Sequence, residues 1–284
     1  MLVTMKEMLQ DAASRGYGIA APGVNDMQTI NAALKAASEL KAPIILDCVE
    51  MNDLEAVADL TRFFSARYPD VTTALNLDHG HSFEMCARAI RAGFTSVMID
   101  ASKLPFEENV SLTAEVVKMA HACGVSVEAE LGRVGSAQNY AQDRTSPHTD
   151  PNEAVEFVKR TDVDCLAVAV GTAHGLYEGE TPELNFVRLA ELRKVVPVPL
   201  VLHGGSSTGD DKLAQAVKTG IAKINLFSDL SSAGTEAIKA LLASGKTTSL
   251  GFLPLSMVYN AGVTAYEKMI AHYIKVFGSA GALA

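Results

Sequence analysis

The chain of 284 residues is 48% apolar and 20% charged, which supplies a large buried core and excludes a disordered polymer. Its net charge of −9 at pH 7, with no clustered run of Lys and Arg, excludes nonspecific nucleic-acid binding, because neutralising phosphates needs such clusters. Four cysteines, Cys48, Cys86, Cys123 and Cys165, lie far apart with no Cys-x-x-Cys pair; this excludes a disulfide-stapled scaffold and a cysteine-based zinc site, and the thiols are expected buried, in a reducing cytoplasm.

In chain order, residues 1–15 read as a short amphipathic helix without the apolar core of a signal peptide. No stretch approaches the ~20 apolar residues of a membrane span, so a soluble, cytoplasmic protein with no membrane partner is expected. From there, short apolar runs of strand type alternate with longer segments of helical period. The runs cover residues 17–20, 43–47, 73–77, 96–99, 126–130, 165–170, 200–202 and 222–226. The helical segments cover 26–40, 54–68, 83–92, 109–123, 183–195 and 210–219. Gly93, Gly124 and Gly220 follow helical segments at the positions where a left-handed end favours glycine. Residues 132–151 are polar and aperiodic, and read as a mobile loop over the site. Residues 256–276 read as an extra helix, packed outside the core or against a partner subunit.

Alternating strands and helices specify a parallel sheet of the α/β class, and eight strands is the count of a (β/α)8 TIM barrel. A doubly wound open sheet would need a Gly-rich first turn, which is absent. Such barrels run to about 250 residues as one unit, so residues 1–284 are expected to form a single domain.

Barrel active sites lie at the carboxyl ends of the strands, which gives weight to polar residues directly after an apolar run. The third run ends in Leu77-Asp78-His79-Gly80-His81 and the fifth in Glu128-Ala129-Glu130. The sixth leads to Gly171-Thr172-Ala173-His174-Gly175, the seventh to His203-Gly204-Gly205-Ser206, and the eighth to Asn225-Leu226-Phe227-Ser228. His79, His174 and His203 suit one divalent ion, because a catalytic zinc takes three protein ligands and keeps a position open. His81 is a rival ligand or a solvated loop residue; His121, His148 and His272 lie in helix or loop contexts and are read as non-ligands. Gly204, Gly205, Ser206, Asn225, Leu226, Phe227 and Ser228 occupy the turns where barrels often bind phosphate. Asp78, beside a histidine ligand, is the candidate acid/base group, the alternative being that it only orients that ligand.

These residues resemble the class II, metal-dependent fructose-bisphosphate and tagatose-bisphosphate aldolase family. The similarity covers Leu77-Asp78-His79, Ile99-Asp100-Ala101-Ser102, Val127-Glu128-Ala129-Glu130-Leu131-Gly132, LAVAVGTAHG at 166–175, LHGGS at 202–206, IAKIN at 221–225 and FGSAG at 277–281, in the family's order. The resemblance implies reversible retro-aldol cleavage of a ketose (bis)phosphate to dihydroxyacetone phosphate and an aldehyde. In it, His79, His174 and His203 hold zinc and Asp78 takes the C4 hydroxyl proton. Glu130 is a supporting or alternate metal partner, and Asn225 orients the enediolate. Gly175, Gly204, Gly205, Ser206, Asn225, Leu226, Phe227 and Ser228 hold the phosphate, with room in the family for a monovalent cation nearby. A histidine site also accepts cobalt or iron.

Three departures stand out. The turn after the first run reads Ala21-Pro22-Gly23-Val24-Asn25 in place of the family's Ala-Phe-Asn. The turn after the second is Asp47-Cys48-Val49-Glu50, and its two carboxylates are expected to repel a distal phosphate. The family's loop acid falls at Gln138-Asn139, where an amide cannot exchange a proton, leaving Tyr140 or Asp143 as substitutes. Competing readings are a metal-dependent epimerase or lyase on another sugar phosphate, and a lapsed homologue that only binds one. A homodimer or homotetramer is expected from the C-terminal helix and the apolar composition.

Overall fold

The computed structural model describes residues 1–139, 148–177, 181–249 and 251–284. The first helix, α1 (Met5–Arg15), precedes strand β1 (Ile19–Pro22). The repeat continues with α2 (Met27–Glu39), β2 (Ile44–Val49), α3 (Leu54–Ser65), β3 (Thr73–Gly80), α4 (Phe83–Ala92), β4 (Ser96–Ile99), α5 (Phe106–Ala122) and β5 (Ser126–Leu131). Two short strands, β6 (Gly135–Ser136) and β8 (Ala173–His174), flank α6 (Pro151–Thr161) and β7 (Cys165–Val168). The chain then runs through α7 (Phe186–Val195), β9 (Leu200–Leu202), α8 (Asp210–Thr219), β10 (Ile221–Leu226), α9 (Ser228–Ala243) and α10 (Leu255–Val276).

Eight strands pair in parallel in the order β1-β10-β9-β7-β5-β4-β3-β2. A parallel bridge between Gly23 and Asp47, with the Val24 amide donating to the Asp47 carbonyl at 2.7 Å, joins the two ends of this sheet into the TIM barrel. Helix starts carry the side chains that satisfy their first amides. Asp26 and Thr29 form a reciprocal capping pair on α2, Asp53 caps α3 and Ser82 caps α4. Asp150 caps α6, with Pro151 behind it at the position where a missing N–H costs nothing.

The core has two parts. The larger lies between the strands and the helix ring. The smaller fills the lower barrel interior, where Met5, Leu9 and Ala12 of α1 pack on Ile19, Ile45, Ala74 and Val201. Helix α1 plugs that end: the Met5 amide donates to Ser96 Oγ at 2.9 Å and Ser126 Oγ at 3.1 Å, at the starts of β4 and β5. With the amino end filled by α1, a cavity lies at the carboxyl ends of the strands.

Helices α4 and α8 have the bounds the sequence predicts, whereas β3 runs three residues further, to Gly80, and β7 ends at Val168. β7 stops because the next amide, Ala169 N, donates to the Thr149 hydroxyl. Helices α6 and α9 are absent from the periodicity reading; in α9 the small residues of SDLSSAGTEAIKALLA mask the apolar stripe. Residues 132–139 are also more regular than expected, since β6 pairs with β8 and sets Ser136 opposite His174. The remainder of that loop, 140–147, with Tyr140 and Asp143, lies outside the described residues. Helix α10 lies against α2 and α9, burying Gly262, Tyr266, Ile270, Tyr273 and Ile274 on one face. No helix among the described residues is long and apolar enough to cross a membrane. Cys48, Cys86 and Cys165 are buried as expected, but Cys123 is exposed at the end of α5.

Candidate functional site

The open end of the barrel holds three imidazoles. His79 sits at the end of β3 with φ of 52°, and the β3–β4 register shifts between Leu77 and Gly80. A left-handed non-glycine residue costs energy, and here the kink turns the ring over the barrel mouth. His174 comes from β8, held by its pairing with β6, and His203 follows β9 directly. The ring centroids of His79 lie 4.9 Å from those of His174 and 4.6 Å from those of His203. One nitrogen from each ring lies within 4.8 Å of the others.

Outer partners decide which nitrogens face inward. His79 Nδ1 meets Asp100 Oδ2 at 2.8 Å, and Asp100 is itself held by the Ser102 amide and hydroxyl. His203 Nε2 meets Glu128 Oε1 at 2.8 Å, and Glu128 Oε2 receives Lys223 Nζ at 2.7 Å. With those nitrogens donating to carboxylates, His79 Nε2 and His203 Nδ1 turn toward each other at 2.9 Å. Burial opposes charge on His79, but Asp78, Asp100 and Glu130 together push it up to about 10. Burial, reinforced by the two neighbouring rings, pushes His174 down to about 3 and leaves it neutral.

The set fits a divalent ion. His174 Nε2 is buried with no hydrogen-bond partner among the described residues, which costs free energy unless something binds it. Zinc–nitrogen bonds of about 2.0–2.1 Å in a tetrahedron put ligand nitrogens about 3.3 Å apart, close to the observed approach of two rings. A second trio, His79, Asp100 and Glu130, meets the same distance criterion. Glu130 Oε2 also lacks a hydrogen-bond partner among the described residues, and burial, with Asp100 nearby, pushes this carboxyl up to about 8.

Asp78 lies beside the trio, its Oδ1 3.9 Å from His79 Nε2 and accepting from Asn225 Nδ2 at 3.0 Å. A cavity of about 460 Å³ brings Asp78, His79 and His174 together with Gly175, Gly204, Gly205, Ser206, Asn225, Leu226, Phe227 and Ser228. Glu130 stands behind His79, outside that lining. The turn after β9 needs its glycines: a Cβ on Gly204, whose φ is +68°, would lie 2.5 Å from the Ala173 carbonyl oxygen. Ser206 is buried, and its Oγ accepts from the Phe227 and Asp229 amides, joining this turn to the start of α9. Phe227, at the N-cap, supplies no side-chain cap of its own, and the start of α9 presents a helix N-terminus to the cavity.

His81, His121, His148 and His272 stay out of the trio. They pair respectively with Glu50, Asp164, Asn185 and Asp210. Asp47 corrects an expectation: it does not open toward a distal phosphate. It is 2% exposed, accepts from Asn76 Nδ2 at 2.9 Å and lies 3.3 Å from Lys223 Nζ, because β2 aims it into the barrel. Burial pushes its carboxyl well up, against the pull of Lys223. Both residues line the cavity, but Asp47 is buried and turned toward Asn76 and Lys223, whereas Glu50 is partly exposed.

Asp100, Lys223 and the orienting role of Glu128 escape the sequence reading. Asp100 directly follows the apolar run 96–99, so the strand-end rule itself points to it. A lysine inside the apolar run IAKINL was the other available signal.

A family model described as fructose-bisphosphate aldolase class-II matches residues 3–282. A fructose-bisphosphate aldolase of Geobacillus stearothermophilus is 41% identical, covering 99% of this chain and 98% of that protein. A "Probable fructose-bisphosphate aldolase" of Bacillus subtilis (strain 168) is 43% identical over 86% of this chain and 87% of that protein. Among solved structures, the YdjI aldolase from Escherichia coli K12 superposes with a TM-score of 0.88 at 34% identity, with both chains covered fully, 100% of each.

Proposed function

The chain belongs to the class II fructose-bisphosphate aldolase family, a family of lyases, and on that premise we propose that it reversibly cleaves a ketose phosphate into dihydroxyacetone phosphate and an aldehyde. The observation that carries this reading is the convergence of three ring nitrogens within 4.8 Å of one another beside Asp78. His79, His174 and His203 would hold one zinc ion, with Glu130 as an alternate partner. When bound, the ion supplies a Lewis acid that draws electron density from a ketose carbonyl.

The protein's own groups do the rest. Asn225 holds Asp78 Oδ1 by a 3.0 Å hydrogen bond in the cavity lining, which leaves Oδ2 as the oxygen to accept a substrate proton. Asp78 takes the C4 hydroxyl proton, the C3–C4 bond breaks, and its electron pair passes to the three-carbon half as an enediolate. Condensation returns the proton by the same path. The cradle of Gly175, Gly204, Gly205, Ser206, Asn225, Leu226, Phe227 and Ser228 holds the phosphate through backbone amides and the start of α9, with a monovalent cation able to share that charge. Tyr140 and Asp143, outside the described residues, are the candidates for protonating the enediolate carbon. The exposed side chains Phe252, Leu255, Met257 and Tyr259 support assembly as a homodimer or homotetramer.

The test is removal of the ion by a strong chelator and its return as zinc. Cleavage, read as release of dihydroxyacetone phosphate, should vanish and recover; intact activity in the chelator would overturn the reading. Asp78→Asn should lower kcat by about 10²–10⁴, the usual contribution of a positioned proton acceptor. Gln138, exposed where the family has an acid, favours the lapsed-homologue alternative. Tight binding of dihydroxyacetone phosphate with no exchange of its carbon-bound proton would establish that alternative.

A further inference from the structure

We infer that the aldehyde half of the substrate carries no phosphate, because the far end of the cavity is shaped for an uncharged, partly apolar chain. The inference rests on the aldolase reading above. The phosphate cradle occupies the turns after β8, β9 and β10. The cavity continues along the neighbouring strands to the loops after β1 and β2, where it is lined by Asn25, Val49, Glu50, Met51 and Asn52, with Phe227 between the two parts.

No Lys or Arg is found among the described residues of that lining. The lysine nearest below it, Lys223, is fully buried and committed to Glu128 and Asp47. What this wall offers is the carboxylate of Glu50, the neutral amides of Asn25 and Asn52 and three apolar side chains, with the Asp47 carboxyl already engaged by Asn76 and Lys223. Glu50 is partly exposed and, among the described residues, pairs with the amide and ring of His81, each at 3.4 Å. Val49, Met51 and Phe227 are exposed to the cavity mouth despite their size. A phosphate dianion about 6 Å from a carboxylate loses about tenfold in affinity even in water-like surroundings, whereas a neutral hydroxyl or methylene loses nothing.

The space continues beyond this wall. A second cavity, of about 470 Å³, shares Gly23, Asn25 and Phe227 with the first. A Cβ on Gly23 would lie 2.7 Å from Phe227 Cδ2, so the ring rests directly on the glycine backbone and forms a partition between the two chambers. The second chamber presents Gln28, Thr29, Ser231, Thr235 and Tyr259, neutral groups that donate and accept hydrogen bonds, beside Asp26, whose carboxylate caps α2 through the Thr29 amide. A polyhydroxylated or deoxygenated aldehyde chain fits this succession, and a second phosphate does not.

The experiment uses the zinc-loaded full chain with dihydroxyacetone phosphate and two acceptors that differ only in the phosphate, glyceraldehyde and glyceraldehyde 3-phosphate. The expected result is a kcat/KM for glyceraldehyde at least about tenfold above that for glyceraldehyde 3-phosphate. Glu50→Gln should narrow that ratio by about tenfold. Glu50→Lys should narrow it further. A wild-type preference for the phosphorylated acceptor, or a ratio unmoved by both substitutions, overturns the inference. Solvent deuterium exchange into dihydroxyacetone phosphate, which needs no acceptor, separates the two levels. Exchange together with a preference for glyceraldehyde 3-phosphate refutes this inference and leaves the aldolase reading standing. Absence of exchange and of condensation with every acceptor refutes both.

Discussion

Replacing Lys223 by Met tests whether the metal-facing histidines depend on a charge sealed beneath them. Lys223 Nζ lies 2.7 Å from Glu128 Oε2 and 3.3 Å from Asp47 Oδ2, and all three side chains are at most 2% exposed. Although burial alone would raise it, Lys223 and His203 hold the Glu128 carboxyl down at about 2. Met fills a similar volume but leaves two buried carboxylates facing each other. Removing one partner of a buried ion pair costs about 3–5 kcal/mol, because the remaining charge has nothing to answer it. Glu128 also loses the contact that aims it at His203 Nε2, and disturbance of such an orienting carboxylate lowers metal affinity by about 10–100-fold. Urea denaturation of the metal-free protein reads the first effect, and competition with a chromophoric zinc chelator reads the second. Adding Asp47→Asn to Lys223→Met should restore part of the stability by removing one of the two acidic groups left facing each other. A stability loss under about 1 kcal/mol in the single variant, with unchanged zinc affinity, would refute the reasoning.

Gly204→Ala forces a Cβ to 2.5 Å from a carbonyl oxygen at a left-handed backbone position; a stability loss of about 1–3 kcal/mol and a raised KM for dihydroxyacetone phosphate are expected from denaturation and steady-state kinetics. Leu9→Ala opens a cavity in the plug at the sealed end, and should cost about 2–5 kcal/mol in denaturation while leaving KM unchanged. Cys48 and Cys86 are pushed up to about 12 by burial, whereas Cys123 is exposed. Mass spectrometry after iodoacetamide treatment of the native protein at pH 8 should therefore find Cys123 alkylated and the other three cysteines intact.

Much of the barrel is legible in the residues because strand and helix identity is a local property. The runs 96–99 and 200–202 coincide with β4 and β9, and Gly93 and Gly220 close α4 and α8 as left-handed or near-left-handed caps. The three histidines are readable for a related reason: each follows an apolar run at the end where a parallel barrel opens. Helix α9 hides because its buried face is made of small residues, whose packing against α10 outweighs weak periodicity.

What the residues alone cannot supply is how positions far apart in the chain face one another. His203 and Glu128 are separated by 75 residues, and Lys223 and Glu128 by 95. Asp47 and Glu50 look alike as a pair of carboxylates in one turn, yet one points into the barrel and the other to its mouth. Local chain chemistry thus determines the strands, the helices and which end carries reactive groups, since each follows from a few neighbouring side chains. The closure of eight strands into a ring sets their register, and only that register decides which nitrogen of each imidazole turns inward and which charges are buried together.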